Sequence, residues 1–467
     1  MQRPATAFRP PVRSRAVTVF GLALVLLLPL VHVPGRGSGQ PSAPLAPTVR
    51  IPGVTAYRVP TTLAAIAATA MPPADPDKKD GFPELSLGEC IAVAVERQPA
   101  LKAVRASQEA TNAGRTALGN IGRIGQLVSP DLSIRKEQSA RGVIAAAADV
   151  QKLHNEVVHD VTRLYYTVVY ARQAGQIADD VVAQLELLVK IGRDLLNSPQ
   201  PGDMTKAKLD AMEIGLAEAR ILQNRAVQGE KQAHAALREV MAVTEATMPF
   251  RVKDQELPVM AQNVPLAKEA VVELTLCRRP ELALAAAGSD AFRLEVYAQE
   301  SIRFRRTVPT LGTGSDIHAR LLPTGSRDPG SAYRPEPIAP EMPPQLVGNK
   351  ADRVTRALAY SRRADAVYEK ARNLMILEAE NAFINFEQMS RTVELGKIKF
   401  DRGRDLMERI KEGVDNPKAP KDQLVMGYAQ AAKAQADYVE AVYQYLLALA
   451  ALERVTAGGV RPAFPGR

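Results

Sequence analysis

Tryptophan is absent from this chain of 467 residues, aromatic side chains make up 5% of it, and there are only two cysteines and five histidines. Each scarcity removes a possibility. With few aromatics and an abundance of Ala, Leu, Val, Glu, Lys, Arg and Gln, helix is favoured over sheet, because these side chains lose little rotamer freedom in a helix. Two cysteines allow one disulfide at most. Cys90 and Cys277 each lie in an apolar helical segment, where a thiol normally packs as a small hydrophobe, so both are expected to be free. Two of the histidines occur in HNEVVH, His154 to His159, which has an approximate look of a zinc motif. Five positions turn a helix by about 140°, so the pair cannot hold one metal from one helix. The glycines of GNIGRIG, Gly119 to Gly125, follow no strand and read as a helix end rather than a phosphate cradle. No nucleophile elbow and no paired-cysteine zinc pattern occurs. The sequence gives no catalytic, cofactor-binding or metal-binding residues, and no enzyme is expected.

Charge of one sign is also scarcer than it first looks. The formal charge is +9, but residues 1–40 contain five arginines (Arg3, Arg9, Arg13, Arg15, Arg36) and no acid. Without them the charge falls to +4. Beyond them Lys and Arg alternate with Glu and Asp, as on solvated helix faces, so nucleic acid is not an expected partner.

One long apolar run is present. Four arginines precede Ala16 to Val31, a length that suits an export leader better than a membrane span of about 20 residues. Residues 1–39 are read as a signal peptide and the proline-rich residues 40–84 as a linker.

Order then begins, and it begins twice. LSLGECIAVAVERQPAL, Leu85 to Leu101, aligns without a gap with LAKEAVVELTLCRRPEL, Leu266 to Leu282, 181 residues later. Pro99 matches Pro280, and each proline is expected to stop one helix and start the next. Ser86 and Glu89 form a capping box. Near the other end AALREVMA, 235–242, matches AALERVTA, 450–457, at an offset of 215. The second copy therefore carries a net 34 extra residues, and the stretch rich in Pro and Gly at 303–349 is where they belong. The organisation is a first repeat at 85–243, a linker at 244–264, a second repeat at 265–457 and a tail at 458–467.

Within the first repeat an apolar or small residue recurs every three or four positions from Val150 through Val157, Leu164, Ala171, Ala178 and Leu185 to Leu196. The mean step of about 3.5 is that of a coiled-coil seam. A return seam runs from Leu209 to Val240 after a turn enforced by Pro199, Pro201 and Gly202. The second repeat repeats the hairpin from about Lys350 to Gly413 and from Pro420 to Ala457. The fold class is mainly α: two tandem copies of long antiparallel coiled-coil hairpins.

This order, with the repeated opening phrase and Leu164 to Leu188, whose aromatic pair Tyr165–Tyr166 opens a long alternating run, resembles the TolC-like outer-membrane efflux family. The resemblance covers about 85–457. It implies a homotrimer forming a helical tunnel and a shared barrel to which each subunit gives four β-strands, in contact with outer-membrane lipid. It also implies partnership with a periplasmic adaptor protein and an inner-membrane pump, with no cofactor. The expected function is the exit duct of a tripartite efflux or type I secretion system. The alternative is a periplasmic coiled-coil structural or adaptor protein of the same ancestry without a functional barrel. Both strand portions look shortened: between helical patterns the first copy offers only Leu127 to Gly142, interrupted by Pro130. At the helix-turn tips the resemblance points to Asp203, Asp415 and Asp422. Two readings of them stay open, a negatively charged constriction and simple capping of the return helices.

Overall fold

The computed structural model describes residues 82–121, 129–197, 204–259, 266–302, 346, 348–414, 421–462 and 464–467, without the side chains of 195 and 411–426. The expected leader, most of the 40–84 linker and nearly all of the 303–349 insert lie outside the described residues.

The first copy opens with β1 (Glu84–Leu85), α1 (Leu87–Arg97), α2 (Pro99–Gly119), α3 (Leu132–Leu196) and α4 (Lys206–Val240). After β2 (Arg251–Val252) the second copy gives α5 (Lys268–Arg278), α6 (Pro280–Ser301), α7 (Lys350–Val414) and α8 (Lys421–Val455). The copies match almost residue for residue: α1 and α5 have 11 residues, α3 and α7 have 65, and α4 and α8 have 35. The net insertion resolves into three parts, the smallest being the one residue by which α6, with 22, exceeds α2, with 21. Twelve residues, 120–131, join α2 to α3, whereas 48 residues, 302–349, join α6 to α7; the tip shortens from nine residues, 197–205, to six, 415–420.

Local chemistry sets the boundaries. The Ser86 hydroxyl accepts from the Glu89 N–H and the Glu89 carboxylate accepts from the Ser86 N–H at 2.7 Å, satisfying two orphan donors of α1. Pro99 and Pro280 stand at the first positions of α2 and α6. The residues before them, Gln98 and Arg279, take extended ψ values of 116° and 120°, as the proline ring requires. Both return helices end in the same way, with an alanine in the left-handed region: Ala242 at φ 53° and Ala457 at φ 46°. The Val243 N–H reaches back to the Arg238 carbonyl and the Ala242 N–H to that of Glu239, a Schellman closure with alanine in the position usually held by glycine.

The four long helices lie side by side in the order α4, α3, α8, α7, and α1, α2, α5 and α6 pack on α3 and α7. Every seam position from Val150 to Leu196 is buried or half-buried. However, α3 begins 18 residues before Val150. Leu132 to Gly142, which the sequence reading left as the only room for strands in the first copy, is helix. The reason is burial from several sides, since α2 and α6 both flank this part of α3 and one-sided periodicity disappears.

The core is densest where β1 and β2 pair in parallel, Glu84 with Arg251 and Leu85 with Val252. There Tyr165, Tyr166, Leu237, Met241, Leu446 and Leu452 are almost fully buried. Residues 248–257 of the supposed linker contribute Met248, Phe250, Val252 and Leu257 to this core. The tail returns to it as well: Phe464 packs 5.5 Å from the Tyr166 ring, and the Gly466 carbonyl accepts from the Gly88 N–H at 2.8 Å. A Cβ on Gly88 would lie 2.9 Å from that carbonyl oxygen, so only glycine permits the approach.

Candidate functional site

The two edges of the layer of four long helices are chemically unusual. On α4, Ile214, Ile221 and Val227 are 62%, 53% and 41% exposed. On α7, Leu377, Ile384, Leu395 and Ile398 are exposed by 41%, 54%, 67% and 60%. Ile214 and Ile221 are one heptad apart, as are Leu377 and Ile384, with Ile398 two heptads further on. Such a seam is built to meet another helix. Ile221 is 15 residues from the tip end of α4 and Ile398 is 16 from the tip end of α7, so at 1.5 Å per residue both stand about 23 Å from the tips.

Inside the layer, the two hairpins meet along α3 and α8. Tyr170 and Tyr443 stack with ring centroids 4.4 Å apart, and the Tyr443 hydroxyl lies 2.9 Å from the Thr167 hydroxyl. Towards the tips the hairpins separate around a cavity of about 300 Å³ lined by Ala174, Ala178, Ala219, Leu222, Ala432 and Glu440, among others. Burial, and then Asp437, push the Glu440 carboxyl above its ordinary range. Glycine brings α7 and α8 close: a Cβ on Gly403 would come within 2.9 Å of the Ala434 Cβ.

Two buried ionic groups fasten the shorter helices, and sequence reasoning found neither. Arg279 donates to Glu378 at 2.7 Å and to Glu281 at 2.9 Å, and Arg454 closes on Glu378 from α8. Burial alone would raise the Glu378 carboxyl, but Arg454 and Arg279 hold it below its usual value; Arg279 does the same for Glu281. In the first copy the position equivalent to Arg279 is Gln98, whose amide donates to the Val240 carbonyl at 3.0 Å. The one available signal was that the copies differ immediately before a shared proline. The second group centres on Glu295, which is 2% exposed and bound by Arg135, Gln138 and Gln299.

Of the residues predicted for the tips, Asp203 and Asp415 lie outside the described residues. Asp422 is in the first turn of α8, with its side chain outside them. The cap of α4 is Thr205, whose hydroxyl accepts from the Lys208 N–H at 3.3 Å. Pro99 and Pro280 occupy matching helix starts. Cys90 is buried and Cys277 exposed, and both are free. Burial raises the Cys90 thiol far above its ordinary value. Among the described residues no three His, Cys, Asp or Glu side chains gather as a metal site, and no helix is long and apolar enough to cross a membrane.

No protein-family model matches the sequence, and no curated protein matches it. Solved structures do. The OprN outer-membrane channel superposes with a TM-score of 0.63 at 15% identity, over 90% of this chain and 100% of its own. The fold is that of the TolC-like outer-membrane channels. The open-state MtrE outer-membrane channel of Neisseria gonorrhoeae matches with a TM-score of 0.60 at 16% identity, over 80% of this chain and 89% of that one. The CmeC outer-membrane channel of Campylobacter jejuni gives 0.61 at 12% identity, over 90% and 96%. The TolC-like fold accounts for the layer of four long helices and for the two tandem hairpins. Its strand contribution is not found among the described residues, whose strands are β1 and β2 alone.

Proposed function

We propose that the chain is one subunit of a homotrimeric helical tunnel at the outer membrane, the exit duct for small molecules or proteins delivered by an inner-membrane pump through a periplasmic adaptor. The observation that supports this best is the pair of bare apolar edges. A contact between different surfaces of identical subunits generates a ring where the rotation closes, and α4 of one copy with α7 of the next is such a contact. The likeness to outer-membrane channels supports the location and the passage. Asp203, Asp415 and Asp422 would ring the tunnel mouth at the adaptor-facing tips. No reaction is assigned to the chain.

The test is a disulfide between subunits. Ile221→Cys and Ile398→Cys stand at the same height on opposite edges, so in a Cys277→Ser background, which removes the exposed native thiol, the double variant should oxidise to a ladder that ends at three chains, whereas each single variant should not. A double variant that stays monomeric under oxidation, together with a compact monomer by sedimentation, would refute the tunnel.

A further inference from the structure

We infer that the cavity between the two hairpins is a binding site for a hydrophobic amine, with its ammonium beside Glu440 and its apolar body between α3, α4 and α8. The inference goes beyond the tunnel reading and does not rest on it, because every wall of the cavity belongs to one subunit.

The space follows from the sequence of the helices that face it. On α8, Tyr428, Ala432, Ala436 and Glu440 recur every four residues and form one row along the cavity. On α3, Tyr170, Ala174 and Ala178 form a second row in the same way. Alanine side chains are too short to fill the gap between the rows, and Ala219 of α4 adds another short one. The result is a cavity of about 300 Å³, a volume at which ligand pockets begin. Since α3 and α4 supply one wall and α8 the other, an occupant is held by both hairpins at once.

The polar groups are few and unevenly placed. At the belt end Glu440 faces the Tyr170 phenol, whose ionisation its charge opposes. Asp437 is paired with Lys399 of α7, whereas Glu440 has no hydrogen bond or ion pair among the described residues. Burial and the like charge of Asp437 both penalise the Glu440 carboxylate, and a cation beside it relieves both penalties. An anion would meet two carboxylates there, and a neutral molecule would leave Glu440 without a partner. Lys433 is the cation of the lining, seven residues from Glu440 and about 10 Å nearer the tips at 1.5 Å per residue. It repels an ammonium from the middle of the cavity, so the charge pattern sets the ligand's direction: amine towards the belt, apolar body along the alanine rows towards Tyr428.

Fluorescence titration of the purified full chain with naphthylethylamine should show one site per chain. Naphthylethanol, of similar shape but uncharged, should bind about tenfold more weakly, the loss expected for a hydrogen bond to a charged group, and naphthylacetate should not bind. Glu440→Gln keeps the side-chain volume; it should weaken the amine about tenfold and leave the alcohol unchanged. Ala432→Phe fills the cavity and should abolish binding of both while helix content is retained; should that variant unfold, the Glu440→Gln titrations decide alone. Absence of binding, equal affinity for amine and alcohol, indifference of the amine to Glu440→Gln, or undiminished binding to folded Ala432→Phe overturns the inference. Failure of the α4–α7 crosslink would refute the tunnel and leave these titrations as they are, so the two readings fall to different measurements.

Discussion

At the scale of single residues, the clearest departures from low-energy geometry are Ala242 and Ala457. A non-glycine residue in the left-handed region costs about 1 kcal/mol, and glycine recovers this less its own unfolded-state entropy. Ala242→Gly and Ala457→Gly should therefore each raise stability by roughly 0.5 kcal/mol, visible as a higher urea midpoint with an unchanged slope. The Arg279, Glu378 and Arg454 group works in the opposite direction. Glu378→Gln leaves two guanidinium groups facing a neutral amide in a buried site and should cost on the order of 3 kcal/mol at neutral pH. The sign with pH follows from Arg454 and Arg279. A carboxyl held below its unfolded value of 4.5 stabilises the fold above that value and ceases to do so as pH falls through its folded value. The gap in urea midpoint between the wild type and Glu378→Gln should thus be full at neutral pH and narrow on acidification below about 4.5.

At the scale of elements, the seams of α3 and α4 are legible because apolar or small residues hold a period of 3.5 along both helices, even around Val161–Ala171 where α3 is buried on nearly every side. The repeated phrase gave the short helices, since Pro99 and Pro280 fix boundaries that no tertiary contact can move. Leu132 to Asp149 was not legible as the start of α3: helices on several sides bury it, and its run of alanines carries no preferred face. The ionic node was hidden for a different reason, because Arg279 and Glu378 are 99 residues apart and nothing local pairs them. The tip aspartates were proposed from a resemblance, and the structure adds only that Thr205 caps α4. Edge and seam positions also differ in what they predict. Ile221 is 53% exposed in the subunit, so Ile221→Asp should leave the subunit's helix content and thermal unfolding nearly unchanged. In the ring the same side chain would be buried against α7, where an unpaired carboxylate is costly. Light scattering should accordingly show Ile221→Asp shifted from trimer towards monomer.

For the whole molecule, burial is graded along a rod about 100 Å long, since α3 and α7 each have 65 residues at 1.5 Å. Around β1 and β2 the long helices are surrounded: Tyr165 donates to the Leu85 carbonyl and accepts from the Asp254 N–H, and the tail closes over Tyr166. Nearer the tips α3 and α4 keep only their shared seam of Val182, Leu185, Val189, Leu216 and Ala219, with the Arg193–Glu213 and Arg220–Glu186 pairs exposed beside it. Exposed pairs contribute little, so the free energy of local opening must fall from the belt towards the tips. Amide exchange followed by mass spectrometry should show Val157–Tyr170 and Tyr443–Val455 exchanging slowest, near the rate of global unfolding, and Leu185–Leu196 faster by orders of magnitude. In the proposed trimeric duct such a gradient would let the tips part while the belt around β1 and β2 stays closed. Equal protection along α3 would mean that the exposed pairs and the single seam near the tips hold as well as the belt, and would overturn the graded rod.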